Sequence, residues 1–266
     1  MDFRVKCALQ QIFSYVPGGR HLNYLMQRYV TRTLPLSDDA LAEYRLAARR
    51  HLDSYRHWVG GTPQSVLELG SGQHLASAIF LALEGCPSVR ATDVKPNARP
   101  ALVKDVLRRL KLSALEDIGV AYSAPYRGQH ADRFDMIISD SVLEHVRREE
   151  LPGLLRSCRE QLKPRGICSF SIDYGDHWAQ FDSSLTRHNY MKFSAGEWRL
   201  YNPPLQYQNR LRHSDYEKLF ADAGLAIVSS DLTVMPPPQF RLAEEFRSYT
   251  TNDLSVVAAY FVLSPK

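Results

Sequence analysis

The chain has 266 residues, 44% of them hydrophobic and 23% charged, with a mean hydropathy of −0.31. These values suit a globular protein with a real core and exclude a disordered or membrane-embedded chain. The longest apolar run, Val256 to Leu263, is eight residues, against roughly 20 for a bilayer crossing. The net charge of +4 sits in residues 1–60, where nine Lys and Arg face five Asp and Glu. The rest is balanced and lacks the basic stripe of a duplex-binding domain, so nucleic acid is not the expected partner. Four scattered cysteines (Cys7, Cys86, Cys158, Cys168) form no Cys-x-x-Cys. The expectation is a reduced, cytoplasmic chain with no zinc site.

In chain order, helices are expected over Phe3–Tyr15, Leu22–Thr31 and a long segment capped by Ser37 that runs to Tyr55. Gly60-Gly61-Thr62-Pro63 ends that region and sets residues 1–60 apart as a helical cap on a domain over 61–266. Short apolar strands then alternate with helices. Strands are expected at Ser65–Leu69, Val89–Thr92, Val120–Tyr122, Phe134–Ser139, Ile167–Ile172, Leu225–Ser230 and Leu254–Leu263. Helices are expected at Leu75–Glu84, Ala101–Leu110, Glu149–Leu162 and His213–Ala223. Such alternation specifies an α/β fold: a doubly wound, mostly parallel seven-stranded sheet. The last strand lacks a crossover helix, so it runs antiparallel. About forty residues at 173–212 interrupt the rhythm and carry eight aromatics. Long insertions at strand ends are where open α/β folds hold ligands.

The first strand ends in Val66-Leu67-Glu68-Leu69-Gly70-Ser71-Gly72. A glycine turn feeding a helix lets backbone approach a ligand closely. Asp93 ends the second strand, 25 residues after Glu68, where a carboxylate accepts both ribose hydroxyls. Gly-Lys never occurs, which removes a phosphate-binding P-loop. The third glycine of a dinucleotide fingerprint is replaced by Leu75, and no Tyr-x-x-x-Lys exists.

Residues 65–172 resemble the class I S-adenosylmethionine-dependent methyltransferases. Val66–Gly72 resembles their first motif and Asp93 their ribose-binding acid. The run from Phe134 to Val146, with Ser139-Asp140-Ser141 and Leu143-Glu144-His145, resembles their fourth-strand motif. Leu162-Lys163-Pro164-Arg165-Gly166 resembles the turn before their fifth strand. The outer segments Pro17–Thr33 and Asp176–Arg212 look like those of poorly characterised bacterial methyltransferases. The resemblance implies a Rossmann-like fold and S-adenosyl-L-methionine as cofactor. It implies contacts from Glu68, Gly70, Ser71, Gly72, His74, Asp93, Val94, Ser123, Ala124, Ser139 and Asp140. It also implies that the N-terminal helices supply a donor for the cofactor's carboxylate, with Arg49, Arg50, His51 and Tyr55 as candidates. Two departures stand out: His74 replaces a usual glycine, and Tyr122-Ser123-Ala124-Pro125 carries no acid for adenine.

Transfer to a neutral hydroxyl benefits from a general base. Asp176 and His177 after the fifth strand, and His145 after the fourth, are the candidates; either acid could instead be a loop cap. Asp140 and Asp173 resemble two of the three oxygen ligands of magnesium-dependent relatives, but Tyr174 stands where an Asn belongs, so no metal is assigned. Asn202-Pro203-Pro204-Leu205 lies past the fifth strand and reads as a turn. The insertion's aromatics line an acceptor pocket or form a small core under a lid. Lys192, Arg199, Arg210 and Arg212 among them would suit an acidic acceptor. The expected function is O-methylation of a small metabolite or saccharide. An RNA or protein methyltransferase, or a non-catalytic cofactor-binding partner protein, are the alternatives.

Overall fold

The computed structural model describes residues 3–127 and 132–266. Strands β1 (Val66–Leu69), β2 (Val89–Thr92), β3 (Val120–Ser123), β4 (Phe134–Asp140), β5 (Leu162–Asp173), β6 (Leu225–Val234) and β7 (Val256–Pro265) form one sheet. Their order is β3-β2-β1-β4-β5-β7-β6. All pairs are parallel except those made by β7, which runs antiparallel between β5 and β6. The absence of a crossover helix before β7 had that consequence. β5 starts earlier than expected. Leu162 already pairs with Phe134, and a bulge before Met136 absorbs the Pro164–Gly166 stretch.

Helices α1 (Phe3–Tyr15), α2 (Gly19–Leu25) and α3 (Asp38–Trp58) precede the sheet. A single π turn over Met26–Val30 continues α2. Ser37 caps α3, its hydroxyl accepting from the Ala40 amide at 3.1 Å. Leu41, Ala48, Leu52 and Tyr55 recur at helical spacing and are buried. They join α4 (Ala76–Leu83) and α5 (Pro100–Arg109) in an apolar cluster on one sheet face. Helices α6 (Leu151–Gln161) and, after a short α7 (Ala195–Trp198), α8 (His213–Asp222) cover the other face with Leu155, Phe220 and Phe261. Thr250 caps the short α9 (Thr251–Ser255) before β7.

A third cluster lies beyond the carboxyl ends of the strands. Phe3 and Cys7 of α1 pack with Trp178, Tyr190, Met191 and Trp198 of the insertion. Polar contacts pin α1 there: the Phe3 amide donates to Asp182 at 3.2 Å, and the Ser14 hydroxyl accepts from the Leu205 amide at 3.3 Å. The insertion's aromatics thus form mainly a small core. Phe181 is the one of the eight that lines the neighbouring cavity.

Candidate active site

The register fixes the cofactor end. Leu69 pairs with both Thr92 and Ser139, and Thr92 with Ser123, so Gly70, Asp93, Ala124 and Asp140 emerge along one edge. β1 and β4 are neighbours there although the chain leaves β1 toward β2. This is the switch point at which open sheets bind nucleotides.

Gly70 and Gly72 both adopt positive φ, 78° and 72°. A Cβ on Gly70 would lie 2.4 Å from a methyl of Val142, whereas one on Gly72 would meet nothing within 4 Å. Gly70 is therefore required by packing, and Gly72 leaves backbone open to the crevice. Ser71 fastens this turn to β2: its amide donates to the Thr92 carbonyl at 3.1 Å and its hydroxyl accepts from the Thr92 amide at 2.9 Å.

Glu68 is buried on β1, and its Oε2 has no hydrogen-bond partner. Burial raises its carboxyl to about 7, while the nearby hydroxyls of Ser71 and Ser77 pull the other way. Asp93 accepts from the Tyr122 hydroxyl at 3.1 Å. Burial raises it to about 6, and the bond from Tyr122 opposes that rise. Ser139 is fully buried with an unpartnered hydroxyl. Ser123 is exposed, Ala124 half-buried and Val94 69% exposed at the rim. Asp140 lines a small cavity of about 230 Å³ with His51, Ser171 and Tyr260.

His74 turns toward α3, packing edge-on against Tyr44 at 5.1 Å between ring centres. The larger imidazole is accommodated by Tyr44 and not by the glycine turn.

Each of the four candidates for the cofactor's carboxylate has a partner in the fold, although Arg50 and His51 also line the small cavity beside Asp140. Arg49 pairs with Glu84 at 3.0 Å and Arg50 with Asp231 at 2.8 Å. Tyr55 is in the core, and His51 Nδ1 meets Ser169 Oγ at 2.7 Å. Burial lowers His51 to about 4, so this imidazole is neutral. Helical spacing put these residues on faces that pack or bind other elements. The crevice is instead approached by the segment after α1. Gln73 Nε2 donates to Gln27 Oε1 at 3.4 Å, and Arg20 lies close enough to Asp93 to act on its charge.

Beyond the ends of β4 and β5 lies a cavity of about 690 Å³, the candidate acceptor end. Leu9, Phe13, Met26, Phe181 and Leu205 are its apolar lining, interleaved with Gln10, Asn23, Gln27, Thr31 and Gln206; Ser141, His145, Asp173 and His177 line it from the ends of β4 and β5. His145 Nδ1 lies 2.6 Å from the Tyr207 carbonyl. A carbonyl only accepts, so Nδ1 carries the hydrogen and Nε2 carries the lone pair. The His145 and His177 rings are 4.8 Å apart. Burial lowers His177 to about 3, so that ring is neutral; His145, exposed at its edge, is lowered below its ordinary value by the protein packed around it. His177 Nε2 is 3.8 Å from Asp173 Oδ2, and Asp173 is ion-paired with Arg187.

Asp176 is placed elsewhere. Its carboxylate accepts from the Trp178 amide at 2.8 Å and from Asn189 Nδ2 at 3.0 Å, with 1% of the residue exposed. It caps a turn, so the catalytic assignment does not carry over to it. Two of the basic residues of the insertion, Arg210 and Arg212, are also structural. Arg210 binds Glu245 at 2.9 Å, and fully buried Arg212 donates to the Asp253 carbonyl at 2.8 Å and the Tyr190 hydroxyl at 2.7 Å. Asn202 clamps the Gln208 backbone as part of a turn.

Sequence reading missed Glu144, Tyr122, Tyr207 and the contribution of α1 and Gln27. The one available signal was Glu144 beside His145 directly after a strand. Glu144 is 2% exposed; its Oε1 accepts from the Asp173 amide at 3.2 Å and its Oε2 has no partner.

The methyltransferase-domain family model matches residues 18–230. The chain belongs to that family, and it is a class I S-adenosylmethionine-dependent methyltransferase. No curated protein matches it. Among solved structures, the plantazolicin methyltransferase BpumL in complex with SAH is 15% identical (TM-score 0.56, covering 100% of this chain and 97% of that one). Magnesium protoporphyrin IX methyltransferase from Synechocystis PCC 6803 is 13% identical (TM-score 0.54, 100% of both chains). The 1,6-didemethyltoxoflavin-N1-methyltransferase of Burkholderia thailandensis is 16% identical (TM-score 0.53, 94% and 91%). At such identities the likeness is one of fold.

The residues present fit the cofactor. The open face of Gly72, the unpartnered oxygens of Glu68 and Ser139, and the Asp93 carboxylate offer polar groups and space together at the switch point. Among the described residues no helix is long and apolar enough to cross a membrane.

Proposed function

We propose that the protein methylates a hydroxyl of a small, partly apolar metabolite. The single observation that carries this reading is the cavity of about 690 Å³ lined by His145, its Nδ1 hydrogen bonded to the Tyr207 carbonyl. The volume suits a small molecule. Leu9, Phe13, Met26 and Leu205 would take an apolar part of the acceptor, while Gln10, Asn23, Gln27 and Gln206 offer hydrogen bonds to its polar groups. A macromolecule is disfavoured because α1 and the insertion close over this end.

Asp93 would take the ribose hydroxyls of the cofactor, Glu68 its ammonium group, and the backbone at Gly72 its amino-acid tail. When bound, S-adenosylmethionine supplies an electrophilic methyl group on a sulfonium sulfur. His145 Nε2 accepts the hydrogen bond of the acceptor hydroxyl and draws off its proton as the new bond forms. The Tyr207 carbonyl keeps the ring in the required tautomer. Phe13, Met26 and Phe181 hold the acceptor and exclude water. On this reading residues 1–60 serve as a cap on a catalytic unit over 61–266, with α3 built into the shared core. The four cysteines are free and buried, in keeping with a cytoplasmic enzyme.

Incubation with methyl-labelled cofactor and a panel of small phenols and aliphatic alcohols tests the reading. Label in an ether product supports it. Label entering only RNA, protein or amines, or no turnover despite cofactor binding, contradicts it.

A further inference from the structure

The turn holding Glu144 and His145 follows β4, and the turn holding His177 follows β5. These strands are paired through Asp140 and Ser171, so the two turns leave the sheet side by side. One carboxylate oxygen of Glu144 and one ring nitrogen each of His145 and His177 lie within 4.8 Å of one another. We propose that these three side chains form a divalent-cation site that holds the acceptor oxygen, a refinement that rests on the hydroxyl-transfer reading above.

Three further observations point to a ligand. Glu144 is 2% exposed, yet its Oε2 finds no partner, and a buried carboxyl oxygen without one is unfavourable. His177 Nε2 is likewise buried and unpartnered. The bond from His145 Nδ1 to the Tyr207 carbonyl is the outer support that metal-binding histidines ordinarily have. The Asp173 amide does the same for Glu144 Oε1. Asp173 itself, 3.8 Å from His177 Nε2, is balanced by Arg187 and remains the nearest further carboxylate.

Two imidazoles and one carboxylate suit Zn²⁺, Mn²⁺ or Fe²⁺ better than Mg²⁺, which prefers oxygen donors. Bonds near 2.1 Å place ligand atoms about 3.0–3.4 Å apart. The widest separation in the cluster, up to 4.8 Å, must therefore contract by about 1.4–1.8 Å, within the reach of side-chain rotation. The cavity supplies the open position. There the cation binds the acceptor oxygen and lowers the pKa of its hydroxyl. His145 is then a ligand, and the proton passes to the Asp173 carboxylate. The oxygen pair forms the O–CH₃ bond, and the S–CH₃ pair returns to sulfur, leaving a neutral thioether. This would replace the metal-free site expected from sequence, where Asp140 and Asp173 were the residues considered.

The test is titration of the full, chelator-stripped chain with Co²⁺, followed by calorimetry and visible absorption. One equivalent should bind with ligand-field bands of mixed nitrogen and oxygen donors. Glu144→Gln and His177→Ala should each weaken binding on the order of 100-fold. Methyl transfer by the stripped enzyme should fall and return with Zn²⁺ or Mn²⁺. Should Glu144→Gln fail to fold, His177→Ala gives the same comparison. No Co²⁺ binding at millimolar concentration, binding unchanged in these variants, or full transfer in the ion-free enzyme would overturn the proposal and leave His145 as the base. Co²⁺ binding without hydroxyl transfer in either state would instead count against the hydroxyl reading.

Discussion

The two ends of the active-site crevice are built in different ways. The cofactor end uses strand ends joined by short connections: Gly70 to Gly72 after β1, Asp93 after β2, Ser139 and Asp140 on β4. The acceptor end gathers Phe13 from α1, His145 after β4, His177 after β5 and Leu205 from the insertion. The first is fixed by sheet register. The second depends on chain segments nearly two hundred residues apart, as in the Ser14 to Leu205 bond. Register is a property of the fold, whereas the distant contacts depend on how α1 meets the insertion.

That division predicts separable phenotypes. The largest effect is expected at the acceptor end. His145→Asn should lower kcat by roughly 10²–10⁴-fold while cofactor affinity, read by calorimetry, stays within about twofold. An equal loss of cofactor affinity would merge the two ends and break the comparison.

Gly70→Ala tests the other end through packing. Its Cβ would sit 2.4 Å from Val142 at a φ of 78°. The cost should be about 2–4 kcal/mol of unfolding free energy, from overpacking and positive φ together. A denaturant midpoint unchanged from wild type would show that Val142 moves aside freely.

The next effect concerns α3, which packs into the core beside α4. His51 is held at about 4 by burial, against 6.5 for an ordinary imidazole. As pH falls, the unfolded chain takes up this proton before the folded one. The stability it contributes is complete above about pH 6.5 and is lost progressively toward pH 4. His51→Gln should flatten the fall in melting stability across that window. An equally steep fall in the variant would place the titration elsewhere.

Asp93→Ala should weaken S-adenosylhomocysteine by about 1–3 kcal/mol with acceptor KM preserved. The smallest effect is expected for Phe13→Ala, which should raise acceptor KM about 5- to 30-fold through about 1–2 kcal/mol of lost apolar contact. It should leave cofactor affinity alone. A rise in cofactor Kd in that variant would extend α1 into the cofactor end.

The same contrast explains what the sequence made legible. Strand–helix alternation and the Gly70–Gly72 turn are local patterns, so the sheet, the antiparallel β7 and the placement of Gly70, Asp93 and Asp140 could be read from them. Asp176 and His177 looked equivalent because they are adjacent. Only folding shows that the Trp178 amide and Asn189 consume one carboxylate while the cavity receives the other side chain. Arg49 and Arg50 looked available because their partners, Glu84 and Asp231, are distant in sequence. The Tyr207 carbonyl that orients His145 is a backbone group and leaves no residue signature at all.

The Gly72–Asp93 crevice should hold the cofactor with its reacting end toward the His145 cavity. A crystal structure with S-adenosylhomocysteine bound tests it most directly. The account predicts both ribose hydroxyls within hydrogen-bond distance of Asp93 and the sulfur facing the cavity lined by His145 and Phe13. A ligand bound with Asp93 turned to solvent, or with its sulfur directed away from that cavity, would contradict it.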